Sequence, residues 1–407
     1  MKELDLLNDV LEQGVVGRKA ENKRKIIRLL SRSERSFSIP EISELIDVSI
    51  PMCTLLIKDF VKEGYLKKEG KKISDQGRRP YTFSLNKGRF FVVGVEILSK
   101  FIHLTITKTD LETNYTAVDR NFVLTYDEKC LAYIARFIKK SIMASKINKE
   151  NIIGVGIGMP QVVKNEEGKL TVYFSDNKIS IKDHLETQLN IPVIIDNDTR
   201  TIGVAEQTLG NAKGIDNVLV VKVSRTLGLS IIADRHIIKG SYGFAGNFNH
   251  TQFSKGERLC ECGKIGCLGT LIGGNALLNS LKESMLNDEV SIYFKKEELP
   301  NYKYHDILDA ILKGDELSIE LIQEQGFVLG KALGNIINVF DPELVIIGGE
   351  YVMVKDFFID AVKMGIKKST LINTVNHCSI KASTLGRYLG SKAGAAMILK
   401  ASKMIDF

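Results

Sequence analysis

Residues 260–267 read CECGKIGC, three thiols and two glycines within eight positions. Thiols this close can make a disulfide knot, a redox centre or a metal clip, and the glycines permit the φ angles that bring sulfurs together. The chain holds six cysteines, and the other three, Cys53, Cys130 and Cys378, are scattered singly. A disulfide framework in a chain of 407 residues would spread paired cysteines along it. Nor is the spacing the Cys-x-x-Cys of a redox motif set between strand and helix. One metal site in a reducing cytoplasm fits the distribution better, with free buried cysteines as the plain alternative.

Such a loop needs a folded body to carry it. The chain is too long for one ordinary core and suits two or three domains. At 44% hydrophobic and 26% charged residues the composition is that of an ordinary globular protein. It contains no apolar run of about 18 residues, so no membrane-spanning helix is expected. The start, MKELDLLNDVLEQGVVG, lacks a basic-then-apolar signal layout, which argues against secretion. Charge is uneven. Residues 1–88 hold 18 Lys+Arg against 13 Asp+Glu, while the remainder is nearly balanced at 38 against 36. A basic module that meets an anionic partner is therefore expected at the front, the alternative being a merely solvated surface.

Within that module, residues 22–33 (NKRKIIRLLSRS) set Ile26, Ile27, Leu29 and Leu30 on one face of a basic amphipathic helix. Residues 38–49 open with Ser and Pro, carry Glu in the first turn, and place Ile42, Leu45 and Ile46 at helical spacing. Ser49 begins a third helix striped by Cys53, Leu56, Ile57 and Phe60, and Gly64 ends it. Two short β-like runs around the basic loop GKKISDQGRRP follow. This is the layout of a winged helix-turn-helix, whose third helix enters the major groove of double-stranded DNA. Its outward candidates are Ser49, Pro51, Met52, Thr54, Leu55 and Lys58, joined by Arg78 and Arg79 of the wing. Arg, Asn and Gln, the bidentate base readers, are absent from the helix. Discrimination would rest on thymine methyls, DNA shape or the wing arginines. A winged helix used for protein contacts is the competing reading.

From residue 89 onward β-branched runs alternate with helical patterns: RFFVVGVEI, KFIHLTITKTD, NIIGVGIGMP, PVIIDND, NVLVVKV and LSIIADRHIIKG, then a helix–turn–strand in GNIINVFDPELVIIGG. That alternation means an α/β fold with mostly parallel central strands. The pattern restarts near residue 215, so two α/β lobes with a cleft between them are expected.

GRRPYTFSLN, GVEI, GIGMP, IPVIIDND, the CECGKIGC box and FDPELVIIGG together resemble the ROK family of repressors, open reading frames and sugar kinases. The resemblance covers nearly the whole chain, including the head that only the repressor branch carries. It implies an actin-like, hexokinase-like (ribonuclease H-like) pair of lobes and an oligomer, a homodimer or homotetramer. It also implies that His250, ten residues upstream, completes a structural zinc site with Cys260, Cys262 and Cys267, since three soft thiolates need one more ligand to close a tetrahedron.

In ROK kinases an Asp-x-Gly-Gly-Thr turn cradles ATP phosphates; here the matching stretch is Glu96-Ile97-Leu98-Ser99-Lys100. The second phosphate loop reads Ser224 to Ser230 and keeps only Gly228. Side chains in place of glycine block the backbone approach that phosphate needs. Asp198 matches the kinase general base, preceded by Asn197, and Asn177 aligns with another sugar contact, as does His250. Two acids of the family pattern are missing: Asn247 and Asn249 stand in its Glu-x-Gly-His motif for Glu and Gly, and Gly269 replaces a Glu.

These readings combine into one expectation. Residues 1–88 form a winged helix-turn-helix, 89–200 with 387–407 a first lobe, and 201–386 a second lobe with the zinc loop. The chain is expected to be a cytoplasmic repressor of carbohydrate genes that binds operator DNA and senses a sugar or sugar phosphate. No catalytic residue is assigned. The alternatives are an ATP-dependent sugar kinase, of glucokinase or N-acetylhexosamine kinase type, and a protein-binding scaffold.

Overall fold

The structure, a computed structural model, describes residues 15–33, 35–71, 80–164, 170–254, 256, 258–386 and 389–404. Contact density divides the chain into two units, Met1–Asp198 with Gly390–Asp406, and Thr199–Leu389.

The first unit begins with α1 (Val15–Ser31), β1 (Phe37–Ser38), α2 (Ile39–Ile46), α3 (Ile50–Lys62), β2 (Leu66–Lys71) and β3 (Tyr81–Leu85). The three strands make an antiparallel sheet in the order β1-β3-β2. Local chemistry sets the helix ends. The Glu41 carboxylate accepts from both the amide and the hydroxyl of Ser38, fixing the first turn of α2. Asp47 turns the chain with φ 55°, and Ser49 with Pro51 restarts it as α3. Gly64, at φ 77°, ends α3, and the Tyr65 amide closes back on the Phe60 carbonyl at 2.8 Å. Ile26, Ile27, Leu30, Ile42, Cys53, Leu56, Ile57 and Phe60 fill the core. Leu45 departs from the expected stripe and is 56% exposed. Ile42 and Ile46, one turn apart, already cover the buried side of this eight-residue helix, and position 45 falls beyond its edge.

A 3-10 turn, Lys87–Arg89, leads into β4 (Phe91–Leu98), β5 (Phe101–Lys108), β6 (Thr113–Asp119), α4 (Glu128–Ala144) and β7 (Ile152–Met159). Two short strand pairs follow, β8 (Val163–Lys164) with β9 (Leu170–Thr171) and β10 (Tyr173–Phe174) with β11 (Ile179–Ser180), then α5 (Ile181–Leu189) and β12 (Val193–Asn197). The sheet order is β12-β7-β4-β5-β6: three parallel strands with an antiparallel meander on one side. Register brings Glu96, Gly158 and Asp196 level near the carboxyl ends of β4, β7 and β12, where α/β sheets carry their sites.

The second unit opens within α6 (Asp198–Leu209), which precedes β13 (Val218–Val223), β14 (Leu227–Ala233) and β15 (His236–Ile237). After the cysteine loop come α7 (Gly274–Leu286), α8 (Tyr304–Leu312), α9 (Glu316–Phe340), β16 (Leu344–Gly348), α10 (Lys355–Ser369), α11 (Ile372–His377) and β17 (Ser379–Ala382). The sheet runs β15-β14-β13-β16-β17, with β13, β16 and β17 parallel. The α7–α10 layer covers it around Leu281, Ile307, Leu329, Leu333 and Phe358. The chain returns to the first unit as α12 (Leu389–Ala401). There the helix lies directly on the sheet backbone: a Cβ on Gly94 would stand 1.8 Å from the Ser391 carbonyl oxygen, and one on Gly156 2.0 Å from that of Gly394. No described helix is long and apolar enough to cross a membrane.

Candidate functional site

The cysteine loop is built by two isolated bridges, Gln252 with Cys267 and Leu259 with Ile265. The Cys260 amide donates to the Lys264 carbonyl at 2.8 Å and the Gly263 amide to that of Cys260 at 2.9 Å. Gly266, at φ 81°, lies so near Ser254 that a Cβ would meet its carbonyl oxygen at 2.1 Å, so only glycine fits there. The result gathers His250, Cys260, Cys262 and Cys267 with all four ligand atoms within 4.8 Å of one another. Cys262 and Cys267 sulfurs are 3.6 Å apart, and the Cys260 sulfur is 3.5 Å from His250 Nδ1. This group could hold a metal ion. Burial, reinforced by the neighbouring sulfurs, pushes the Cys267 thiol up to about 11, while the Lys264 amide holds the Cys262 thiol below its usual range.

Two of the departures beside this loop, Asn249 and Gly269, are neighbours in space. A Cβ at Gly269 would sit 3.1 Å from the Cβ of Asn249, so the side chain present at 249 occupies room that a side chain at 269 would need. Asn249 Nδ2 also lies 3.1 Å from His250 Nε2.

On the front domain, Ser49, Pro51, Leu55 and Lys58 are exposed and Met52 and Thr54 half-buried along one side of α3. Arg78 and Arg79 lie outside the described residues. Sequence reasoning missed Ile50, which is 53% exposed on the same side, and Tyr81, whose ring lies under the Lys68 ammonium at 3.4 Å. A groove of ≈ 600 Å³ between α3 and the β2–β3 pair is lined by Ile50, Thr54, Lys58, Lys62, Lys68 and Tyr81 among others.

Neither stretch matched to a phosphate loop is an open loop. Leu98 pairs with Phe101, which leaves Ser99-Lys100 as a two-residue hairpin turn. The Glu96 carboxylate is buried against Gly390 in the first turn of α12. Val223 pairs with Leu227, and the Ser224 amide closes on the Thr226 carbonyl at 3.1 Å. The carbonyls of Ser224 and Arg225 accept from the amides of Gly274 and Asn275, which occupies two donors at the start of α7. Gly228, the surviving glycine, makes room for α6: a Cβ there would meet Thr199 Oγ1 at 2.2 Å. Beside the second of these turns Tyr304 packs on Gly274 and donates to Glu350, with His305 Nε2 3.1 Å from the other carboxylate oxygen. Burial pushes the Glu350 carboxyl up, yet the bonds from His305 and Tyr304 win and hold it below its usual range.

Asn197 ends β12 and Asp198 starts α6, both half-buried. The phenol of Tyr126, on the loop before α4, is pushed up to about 12 by burial and by the Asp198 charge. That proximity was not visible from sequence spacing. Asn177 turns elsewhere, donating to Glu128 at 3.3 Å on the surface. His250 belongs to the second unit and the other three ligand candidates to the first.

The sequence model described as ROK family matches residues 92–402. A xylose repressor of Caldicellulosiruptor bescii is 26% identical over 368 residues, covering 89% of this chain and 92% of the relative. The DNA-binding transcriptional dual regulator NagC of Escherichia coli is 26% identical over 339 residues, 82% of this chain and 80% of the relative. Among solved structures, a ROK family transcriptional regulator homologous to E. coli MLC superposes with TM-score 0.76 at 20% identity, over 95% of this chain and 97% of that one. A ROK glucokinase of Streptomyces griseus, bound to glucose and AMPPNP, superposes with TM-score 0.64 at 21% identity, over 75% and 98%. These likenesses establish the mixed α/β, actin-like and hexokinase-like fold expected from the sequence.

Proposed function

The chain belongs to the ROK family, and from that premise we propose that it is a DNA-binding transcriptional repressor of carbohydrate-utilisation genes, acting in the cytoplasm as a homodimer or homotetramer. The observation that carries this reading is α3, which turns Ser49, Ile50, Pro51, Met52, Thr54, Leu55 and Lys58 outward beside a strand pair bearing Lys67 and Lys68. A helix so placed on a compact three-helix head is what a winged helix-turn-helix lays into a major groove. Relatives named as xylose and N-acetylglucosamine repressors support the choice and point to a sugar or sugar phosphate as effector.

Asn197, Asp198 and His250 are the proposed effector contacts, with Tyr126 added to them; Asn177, bonded to Glu128, is not among them. An effector acts by binding one arrangement of the protein better than the other, which shifts the population at the DNA heads. Zinc is the proposed ion for the cysteine loop. Bond lengths of about 2.3 Å to sulfur and about 2.0–2.1 Å to nitrogen require tetrahedral edges of about 3.8 Å between sulfurs and about 3.6 Å from sulfur to nitrogen, close to the observed 3.6 and 3.5 Å. With four protein ligands the ion would have no open position, so its role would be to staple the loop. With Nδ1 turned to the metal, His250 Nε2 would carry the proton, and the Asn249 amide oxygen would receive it after a flip.

Phosphoryl transfer is disfavoured by the two closed turns, by the Glu96 carboxylate against α12, and by the carbonyls on the α7 amides. The test uses the full chain and duplexes spanning the promoter of its own operon. Tight binding that weakens steeply with salt and is released by one member of a sugar panel is expected. ATP turnover with hexoses or N-acetylhexosamines that disappears in Asp198→Asn would overturn the proposal.

A further inference from the structure

We infer that the head reads its operator chiefly through thymine C5-methyl groups, with Ile50 and Leu55 of α3 as the reading residues. The inference rests on the DNA-binding reading above and deepens it. A major-groove helix discriminates bases by paired hydrogen bonds to base edges or by apolar contact with the thymine methyl. On α3 the first route is nearly closed. Its sequence, IPMCTLLIKDFVK, carries no Arg, Asn or Gln. Thr54, the hydroxyl in the middle of the face, donates back to the Ile50 carbonyl at 2.7 Å, so its proton is committed within the helix. Ser49, Lys58 and, one turn further on, Lys62 are the polar groups left on that side, at the two ends of the outward stretch.

Between them the surface is apolar. Ile50, on the flank of α3 that lines the adjoining groove, is 53% exposed, Leu55 is 50% exposed, Pro51 is exposed and Met52 half-buried. Half-exposed aliphatic side chains on a short helix whose opposite face, Cys53, Leu56, Ile57 and Phe60, is already buried have no structural need to be apolar. Charge complementarity selects DNA as the occupant: Lys58, Lys62 and Lys68 border the patch along the adjoining groove. A duplex would seat its phosphates on this lysine border and present base edges to the aliphatic centre. There the methyl of thymine distinguishes A·T from every other pair without a hydrogen bond.

The discriminating probe is a single methyl. The full-length chain is run through selection on a random duplex library, and the enriched duplex is resynthesised with deoxyuridine at each thymine in turn. One methyl removed from an apolar contact lowers affinity by about fourfold, so two or more contacted thymines give a loss of tenfold or greater in the fully substituted duplex. Ile50→Ala and Leu55→Ala, both surface changes, should bring the thymine-to-uracil ratio toward one while leaving the salt dependence unchanged. Equal affinity for thymine and uracil duplexes overturns the inference and leaves the repressor reading standing. A ratio that persists in both variants overturns the assignment to α3. Failure to enrich any duplex, with no salt-dependent binding, overturns the DNA-binding reading itself and this inference with it.

Discussion

Arg28 and Ser402 are 374 positions apart in the chain, and Arg28 Nε donates to the Ser402 carbonyl at 3.0 Å. Four residues on, just past the end of α1, Arg32 Nε donates to the carbonyl of Lys403 at 3.1 Å. The two arginines thus grip consecutive carbonyls just past the end of α12. The head is joined to the first lobe elsewhere too. Tyr65 stacks on Phe90 at 5.4 Å, and Asn86 Nδ2 donates to the Gly64 carbonyl at 2.9 Å. Since α12 is pressed on β4 and β7, this latch ties the basic head to the sheet that carries Glu96 and Asp196. Hydrogen bonds from charged donors contribute about 1.5–3 kcal/mol each when well buried, and Arg32 is exposed. Arg28→Ala with Arg32→Ala should therefore cost about 2 kcal/mol in urea titrations. Faster amide exchange should appear in α1 and in the last turn of α12. Exchange confined to α1 would show that the contact does not couple the two elements.

Glycines in the two lobes look alike in sequence but answer differently to a methyl. At Gly94 the added carbon meets backbone on two sides, Ser391 O at 1.8 Å and Ala395 N at 2.6 Å, and backbone cannot step aside. At Gly228 it meets chiefly the side chain of Thr199. Overpacking costs about 1–3 kcal/mol or more. Gly94→Ala is expected at or beyond the top of that range, with no single side-chain deletion to relieve it. Gly228→Ala should be partly rescued by Thr199→Ala, a coupling that a double-mutant cycle measures directly.

Much of the head and of the metal loop was legible in the sequence because the determinants are local. Ser38, Pro40 and Glu41 mark the start of α2, Ser49 and Pro51 that of α3, and Gly64 its end. The loop's four candidate ligands, His250 to Cys267, fall within 18 residues. What escaped depended on distant chain segments. Gly228 read as a relic of a phosphate loop, whereas its neighbour is Thr199 on α6. Asn249, standing for a Gly, and Gly269, standing for a Glu, read as separate departures, yet they are neighbours in space. Tyr126 reaches Asp198 only through the fold, 72 positions on. Leu45 was misplaced because helical periodicity assigns a stripe but not how wide a stripe the neighbours will cover.

The metal staple proposed for the cysteine loop makes a prediction with two readouts. Cys260→Ser should lose the bound ion, measured by elemental analysis of the purified chain, and chelation of the unaltered protein should lower its melting temperature by a similar amount. Structural zinc is worth about 10–16 kcal/mol in isolated peptides. Here the loop keeps its own anchors, among them the Phe253 amide to the Gly266 carbonyl at 2.8 Å and the Leu268 amide to that of Thr251 at 2.9 Å. A loss of a few kcal/mol is therefore expected in place of unfolding. Release should also follow acidification, since protons compete with the ion for its ligands. Full metal content in the Ser variant would exclude Cys260 as a ligand.

Glu206 supplies a prediction in pH. It is fully buried in α6, where Oε2 accepts the Asn211 amide at 3.0 Å and Oε1 accepts the Ser383 hydroxyl. Burial is the largest influence and raises its carboxyl above the ordinary value of 4.5, against the pull of those two bonds. The folded state thus holds a proton that the unfolded chain releases. Its stabilising contribution is complete below the ordinary value and is lost as pH rises through the raised one. Over that window the native protein should lose about 1.4 kcal/mol per pH unit from this group. Glu206→Gln imitates the protonated form, with its amide group donating toward Ser383. The variant should match the native protein near pH 4.5 and gain on it steadily above. Urea titrations of both proteins from pH 4.5 to pH 8 decide the matter, because parallel curves would mean that Glu206 is ionised in the fold despite its burial.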